Sequence, residues 1–245
     1  MDLSVVIPVL NERENICPLI EEIQGRLPEG FAYEIICVDD GSTDGTLAEL
    51  LRLADRYSSL RIRQHECHAG QSAAILTGVL AARAPWVATL DGDGQNDPSD
   101  IMRLWRTLRA PELPDGPGLI VGWRRQRRDG WVKRLASRIA NAVRSRLLKD
   151  HTPDAGCGLK LFRRDSFLSL PRFDHMHRFL PALFLHTGSK VVSVAVNHRA
   201  RLKGTSKYGV HDRLWVGITD LFGVWWLQRR TLRPVIATPD KEDAE

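Results

Sequence analysis

Along the first ninety residues, short unbroken apolar runs alternate with stretches in which apolar positions recur every three or four residues. Leu3 to Val9, Tyr33 to Val38, Leu60 to Gln64 and Trp86 to Leu90 have strand length and strand composition. Between them, Glu12 to Leu27 carries Ile16, Leu19, Ile20 and Ile23 at helical spacing. Asp44 to Tyr57 presents Leu47, Leu50, Leu51 and Ala54 as an inner face, and Gln71 to Arg83 is a helix of small residues. Strand and helix in strict alternation predict an α/β fold with a mostly parallel central sheet flanked by helices.

The second half is less regular. Pro98 to Leu108 reads as a helix with Pro98 suited to its first turn. Pro111 to Gly118 is a break, and Leu119 to Gly122 a short strand. Trp131 to Lys149 reads as a basic helix, Asp154 to Arg164 as a turn entering a strand, Met176 to His186 as a helix and Val191 to Asn197 as a strand. A last helix is expected from about Val210 to Arg230, and a polar, disordered tail over Thr238 to Glu245. The expected organisation is a catalytic domain over residues 1–209, an amphipathic helix over 210–233 and a tail over 234–245.

With 245 residues, 43% of them hydrophobic, the chain can bury a full α/β core. No run reaches the roughly 18 apolar residues that would suggest a membrane span. Met1-Asp2-Leu3 leads straight into a strand, so no signal peptide is expected. Cys17, Cys37, Cys67 and Cys157 are widely spaced and read as reduced thiols of a cytoplasmic protein. The net charge of +5 is unevenly spread: Gly122 to Lys149 holds ten Lys/Arg against one acid, and His198 to Arg233 eight against two. That half is suited to an anionic surface or a phosphate-bearing ligand. A nucleic acid would also suit it, but no nucleic-acid motif accompanies the charge.

The candidate chemistry sits at the ends of the apolar runs. Asp91-Gly92-Asp93-Gly94-Gln95 follows the fourth predicted strand and offers only oxygen ligands, the preference of Mg²⁺ or Mn²⁺. Asp39 and Asp40 close the second strand, at the edge where open α/β sheets bind ligands. Asp44 fits better as a helix cap. His65-Glu66-Cys67-His68 matches no zinc spacing and reads as a loop.

Several segments carry a resemblance. Val5-Val6-Ile7-Pro8-Val9-Leu10-Asn11-Glu12, Val38-Asp39-Asp40-Gly41-Ser42-Thr43-Asp44-Gly45-Thr46, Gly70-Gln71-Ser72-Ala73-Ala74 and Leu90-Asp91-Gly92-Asp93-Gly94-Gln95-Asn96-Asp97-Pro98 resemble the family 2 glycosyltransferases of GT-A fold. Val121-Gly122-Trp123-Arg124, Ser137 with Asn141, Asp154-Ala155-Gly156-Cys157-Gly158-Leu159-Lys160, His177-Arg178-Phe179-Leu180-Pro181 and Arg201 through Gly204, Ser206, Lys207 and Tyr208 are similar to the polyprenyl-phosphate branch, typified by dolichol-phosphate mannose synthase. The likeness runs in order from about Leu3 to Tyr208.

This resemblance implies a role for each matching residue. Pro8, Val9, Asn11, Glu12, Asp39, Asp40, Gly70, Asp91 and Gly92 would bind the nucleotide sugar, with Asp39 reading the base. Asp91, Asp93 and Gln95 would hold Mg²⁺ or Mn²⁺ on the donor diphosphate. Arg124, Arg138, Arg201, Ser206 and Lys207 would contact the acceptor phosphate or the donor diphosphate. The catalytic set would be Asp91, Asp93, Arg124 and Asp154, and the reaction an inverting single displacement.

A sugar hydroxyl acceptor needs a general base, whereas a lipid phosphate is already ionised and needs only steering by cations. Relatives acting on hydroxyls usually carry a Glu-Asp pair where this chain has Asp174-His175-Met176-His177-Arg178-Phe179, so a polyprenyl phosphate acceptor is implied, with Asp154 the remaining candidate base. In the last helix Leu214, Ile218, Leu221, Phe222 and Trp225 share one face, and Arg229, Arg230 and Arg233 follow. This fits a helix lying in the interface of an anionic membrane, or one docked on its own domain. Many relatives continue into transmembrane helices here whereas this chain stops, so a peripheral protein on the cytoplasmic face, or one depending on a separate membrane partner, is expected. The alternatives are a hydroxyl-directed glycosyltransferase and a nucleotide-sugar-binding protein without turnover.

Overall fold

A computed structural model of the chain describes residues 1–110, 116–124, 143–199 and 210–230. The elements are β1 (Leu3–Val9), α1 (Arg13–Arg26), β2 (Tyr33–Asp39), α2 (Thr46–Arg56), β3 (Leu60–Gln64), α3 (Gln71–Ala81), β4 (Trp86–Thr89), α4 (Ser99–Leu108), β5 (Leu119–Arg124), α5 (143–148), β6 (Lys160–Arg163), α6 (Arg164–Leu168), α7 (Leu180–His186), β7 (Val191–Val196) and α8 (Val210–Arg230).

The strands form one seven-stranded sheet in the order β3-β2-β1-β4-β6-β5-β7. All neighbours run parallel except β6, which is antiparallel to both β4 and β5. β1 has β2 on one side and β4 on the other, so the strand order reverses there. A crevice opens at such a reversal, outside the carboxyl ends of the strands, because the following helices leave to opposite faces. Register places Asp39 beside Val9. The Leu90 N–H donates to the Val6 carbonyl at 3.1 Å, and the chain then turns out of the sheet at Asp91.

Each sheet face buries its own core. Ile16, Ile20, Ile23, Leu50 and Leu53 cover one, and Val79, Phe162, Phe167, Leu183 and Phe184 the other. Burial at this scale supplies most of the folding drive, at roughly 25 cal/mol per Å² of apolar surface.

Several expectations are corrected. On α2, Leu51 is 53% exposed and Leu53 takes its place in the core. The helix starts at Thr46, so the row Thr46, Leu50 and Leu53 faces the sheet. Pro98 precedes α4 as its N-cap residue instead of lying in its first turn. The predicted helix over Met176 to His186 is two pieces, a 3₁₀ turn at Met176–Arg178 and then α7. Pro181 has no N–H to continue the ladder and instead occupies the first turn of a new helix. The short helix α6 was not anticipated. Of the predicted basic helix, only α5 lies within the described residues, and the tail lies outside them.

The predicted apolar face of α8 divides. Val224 is buried, and Leu221 and Trp225 pack on the second core. Gln228 donates to the Ala182 carbonyl at 3.2 Å. Ile218, Phe222 and Trp226, one row further round, are 37%, 58% and 55% exposed. The docking alternative therefore holds for one row of the helix while a second apolar row faces out. Among the described residues no helix is long and apolar enough to cross a membrane.

Candidate active site

The loops after β1 and β2 are tied together. The Asn11 N–H donates to Ser42 Oγ at 2.8 Å, and Asn11 Oδ1 accepts from the Thr43 N–H at 2.7 Å. Asn11 adopts a left-handed backbone, φ 50°. Glu12 accepts from Asn15 at 2.7 Å, inside its own helix start. The N-cap of α2 is Gly45 and not the expected Asp44, but the Asp44 carboxylate, one residue earlier, serves two helix starts. It accepts from the first N–H of α2, Thr46, at 3.0 Å and from the first N–H of α1, Arg13, at 3.2 Å. Four unpaired N–H groups at each helix start make such an acceptor stabilising.

Asp39 and Asp40 have opposite environments. Asp39 is fully buried; Oδ1 accepts from the Ser42 N–H at 3.3 Å, and Oδ2 has no hydrogen-bond partner among the described residues. A buried carboxylate oxygen without a donor is one of the few exceptions a native structure carries. At the sheet's ligand edge it is what a group reading a base would present. Asp40 is engaged by the turn before α3. Its carboxylate accepts from the Ala69 and Gly70 N–H groups, each at 2.9 Å, and from His65 Nδ1 and His68 Nδ1, each at 2.7 Å. Burial alone would raise its pKa, but these four donors outweigh burial and hold it below the ordinary carboxylate value. The two histidines are thereby spent on Asp40, and among the described residues no cluster of three His, Cys, Asp or Glu side chains is placed to bind a metal.

Asp40 thus anchors the turn into α3. Gly70, at φ 93°, makes that turn, and its neighbours act on the site. Gln71 Nε2 donates to Asp91 Oδ1 at 2.9 Å. Asn96 Nδ2 approaches Oδ2 at 3.4 Å, and the backbone of Gly158 passes so close that a Cβ there would lie 2.0 Å from Oδ2. The carboxylate is oriented by neutral amides, with no Lys, Arg or His in ion-pair reach among the described residues. Hydrogen-bonded carboxylates that keep their charge suit a hard divalent cation, which takes one or two from protein and completes its shell with phosphate and water. Asp93 follows on the same turn and accepts from the Gln95 N–H at 3.1 Å. The donor set therefore fits a metal at Asp91 and Asp93, with the Gln95 amide oxygen nearby in sequence.

A cavity of about 670 Å³ opens here, its wall including Pro8, Gly70, Asp91, Arg124, Lys160 and His177. Val9 and Gly92 are buried beside it in sequence. Arg124 and Asp154, expected as phosphate ligand and candidate base, are each other's partners. Arg124 Nε donates to Asp154 Oδ2 at 2.6 Å and its Nη2 to Oδ1 at 2.9 Å, a bidentate pair. Burial would lower the Arg124 pKa, and the Asp154 carboxylate reverses this to a net rise. Arg138, Arg201, Ser206 and Lys207 lie outside the described residues.

Two wall residues were named only within family motifs and given no site role. Lys160 on β6 is 3% exposed, and its ammonium donates to the Cys157 carbonyl. A charge inside the apolar run Leu159 to Phe162 was the available signal. His177 follows the 3₁₀ turn's first residue, and its Nδ1 lies 2.8 Å from Ser72 Oγ, which also accepts the His177 N–H at 3.2 Å. With the hydroxyl proton assigned to Nδ1, the ring proton is on Nε2. Burial, with the Lys160 and Arg178 charges nearby, holds the imidazole well below the ordinary histidine value and therefore neutral at pH 7. His175 lies 3.2 Å from Asp220, which explains the acid that interrupts the apolar pattern of α8.

Residues 4–170 match the family model described as Glycosyl transferase family 2. The chain is 37% identical over 239 residues to a dodecaprenyl-phosphate galacturonate synthase of Rhizobium johnstonii, covering 96% of this chain and 69% of that protein. It is 34% identical over 216 residues to an undecaprenyl-phosphate 4-deoxy-4-formamido-L-arabinose transferase of Edwardsiella ictaluri, covering 85% of this chain and 63% of that one. Among solved structures it is similar to a glucosyl-3-phosphoglycerate synthase of Mycobacterium tuberculosis in complex with Mn²⁺, uridine diphosphate and phosphoglyceric acid, with TM-score 0.67, 22% identity and coverage of 95% and 80% of the two chains. The same enzyme with Mg²⁺ and uridine diphosphate aligns at TM-score 0.66 and 22% identity, covering 95% of this chain and 80% of that one. The likeness extends the GT-A fold to this chain.

Proposed function

The chain belongs to glycosyl transferase family 2, and on that premise we propose that it transfers a sugar from a UDP- or GDP-linked donor to a polyprenyl phosphate, with inversion at the anomeric carbon. The observation that carries this reading is the bidentate Arg124–Asp154 pair. A carboxylate gripped on both oxygens by a guanidinium is a poor general base, and an acceptor that is already an anion needs none. The names of the Rhizobium and Edwardsiella relatives support the acceptor class.

In this reading Asp39 takes the base through its unpartnered Oδ2. Asp91 and Asp93 hold Mg²⁺ or Mn²⁺, which would stabilise the charge gathering on the leaving diphosphate. Gln71 fixes the Asp91 carboxylate before the donor arrives, so no reorganisation is needed as the bond breaks. The test is transfer from a panel of UDP- and GDP-sugars to undecaprenyl phosphate, with Mg²⁺, Mn²⁺ or EDTA. A chloroform-extractable, metal-dependent product is expected; transfer to a sugar hydroxyl instead would overturn the acceptor class.

The exposed row Ile218, Phe222 and Trp226 is proposed to rest on the cytoplasmic face of an anionic membrane, with Arg229 and Arg230 at the phosphates. Replacing both Phe222 and Trp226 by Ser removes two interfacial side chains, and at about 1.5–3 kcal/mol each vesicle affinity should fall about a hundredfold or more. Unchanged co-sedimentation with anionic vesicles would dismiss the membrane role of this row.

A further inference from the structure

The charges around the cavity do not cancel among themselves. Arg124 and Asp154 close on each other. Asp40 is consumed by four donors and Asp44 by two helix starts. In the wall, neither the Asp91 carboxylate nor the Lys160 ammonium forms an ion pair with another described residue. They are close enough to feel each other's charge, yet they do not form a salt bridge.

Lys160 is the more unusual of the two. An ammonium presents three donors, and here one reaches the Cys157 carbonyl. Burial lowers its pKa below the ordinary lysine value, with the Asp91 and Asp154 carboxylates pulling the other way. A buried cation with unused donors is expensive to keep unless a ligand completes it. The Nε2–H of His177, fixed by Ser72 and lining the same cavity, adds a neutral donor near that charge.

We propose that Lys160, assisted by the Nε2–H of His177, is the phosphate receptor of this cavity, taking over the role that the Asp154-bound Arg124 cannot fill alone. The phosphate is either the acceptor's monophosphate or the donor's diphosphate. The proposal rests on the glycosyl-transfer reading above. It gives the site an anion, Asp91, for the cation and a cation, Lys160, for an oxyanion. Ser72 is then a positioning residue that sets the tautomer of His177.

The experiment compares Lys160→Met and Lys160→Arg with the parent. Transfer kinetics vary the polyprenyl phosphate and the nucleotide sugar separately, and calorimetry reads nucleotide diphosphate binding with Mn²⁺. Charge-assisted hydrogen bonds predict a loss of about 10- to 100-fold in Lys160→Met, mostly restored in Lys160→Arg. A loss confined to the polyprenyl phosphate KM assigns the acceptor phosphate. A loss confined to nucleotide diphosphate affinity assigns the donor. Because an unpaired buried charge is removed, Lys160→Met should melt at or above the parent temperature. A lower melting temperature with unchanged kinetic constants for the folded fraction would make Lys160 structural and end the proposal. Stabilisation of the parent by inorganic phosphate, absent in Lys160→Met, reads the receptor independently of transfer. If the parent gives no lipid-linked sugar, the functional reading falls while this arm still judges Lys160.

Discussion

Asp91→Asn should abolish sugar transfer, by about a thousandfold or more, while leaving the melting temperature nearly unchanged. The substitution is isosteric, so Gly158 can still pass against the side chain and Asn96 can still approach it. The lost quantity is charge. Among the described residues Asp91 has two neutral amide partners and no cation in ion-pair reach, so its carboxylate is open to a ligand. With Asn in its place, Gln71 Nε2 faces either a carbonyl oxygen or a second amide donor, and a hard cation loses a carboxylate. Donor binding titrated with Mn²⁺ should become metal-independent and weak. Retention of a tenth of the parent activity would remove Asp91 from the metal site.

Breaking the Arg124–Asp154 pair should have the largest effect on stability. Arg124 has an 18% exposed side chain and Asp154 a 9% exposed one, so either single truncation strands a largely buried charge. Asp154→Ala and Arg124→Ala should each destabilise by about 3–5 kcal/mol in denaturant unfolding, and the double variant by much less than their sum. This cycle also decides the mechanism. A general base would make Asp154→Asn inactive with near-parent stability and an intact Arg124. A structural pair makes the two single variants alike in both stability and activity. The first pattern would restore Asp154 as a base and turn attention to a hydroxyl acceptor.

The asymmetry between Asp39 and Asp40 shows how far local pattern reaches. Asp39 is the last residue of the buried strand β2 and Asp40 follows it, and no sequence pattern within ten residues separates their roles. Asp40 is claimed by His65, His68, Ala69 and Gly70, which come from the far side of α2 and β3. The same loop meets Asp39 only at its backbone, where the His65 N–H donates to the carbonyl at 2.8 Å, so among the described residues Oδ2 stays without a donor. Likewise, the spacing of α8 identifies its apolar positions, but α7 decides that Val224 and Trp225 are covered while Phe222 and Trp226 are not. Arg124 and Asp154 meet across 30 residues, and Ser72 and His177 across 105.

By itself the sequence determined the alternating elements, the parallel half of the sheet and the arrival of Asp39, Asp91 and Asp93 at its carboxyl edge. Those features follow from periodicity and from runs of apolar residues closed by acids, which are local properties of a chain. The family resemblance was equally local, resting on short motifs in order. Tertiary structure alone decided which charges are spent on one another and which remain for a ligand. Charge compensation depends on distance in space, and chain order carries little of that distance once helices and strands have folded past each other. Asp40, Arg124 and Asp154 are bound to other groups of the protein, while Lys160, named only within a family motif, forms no ion pair among the described residues.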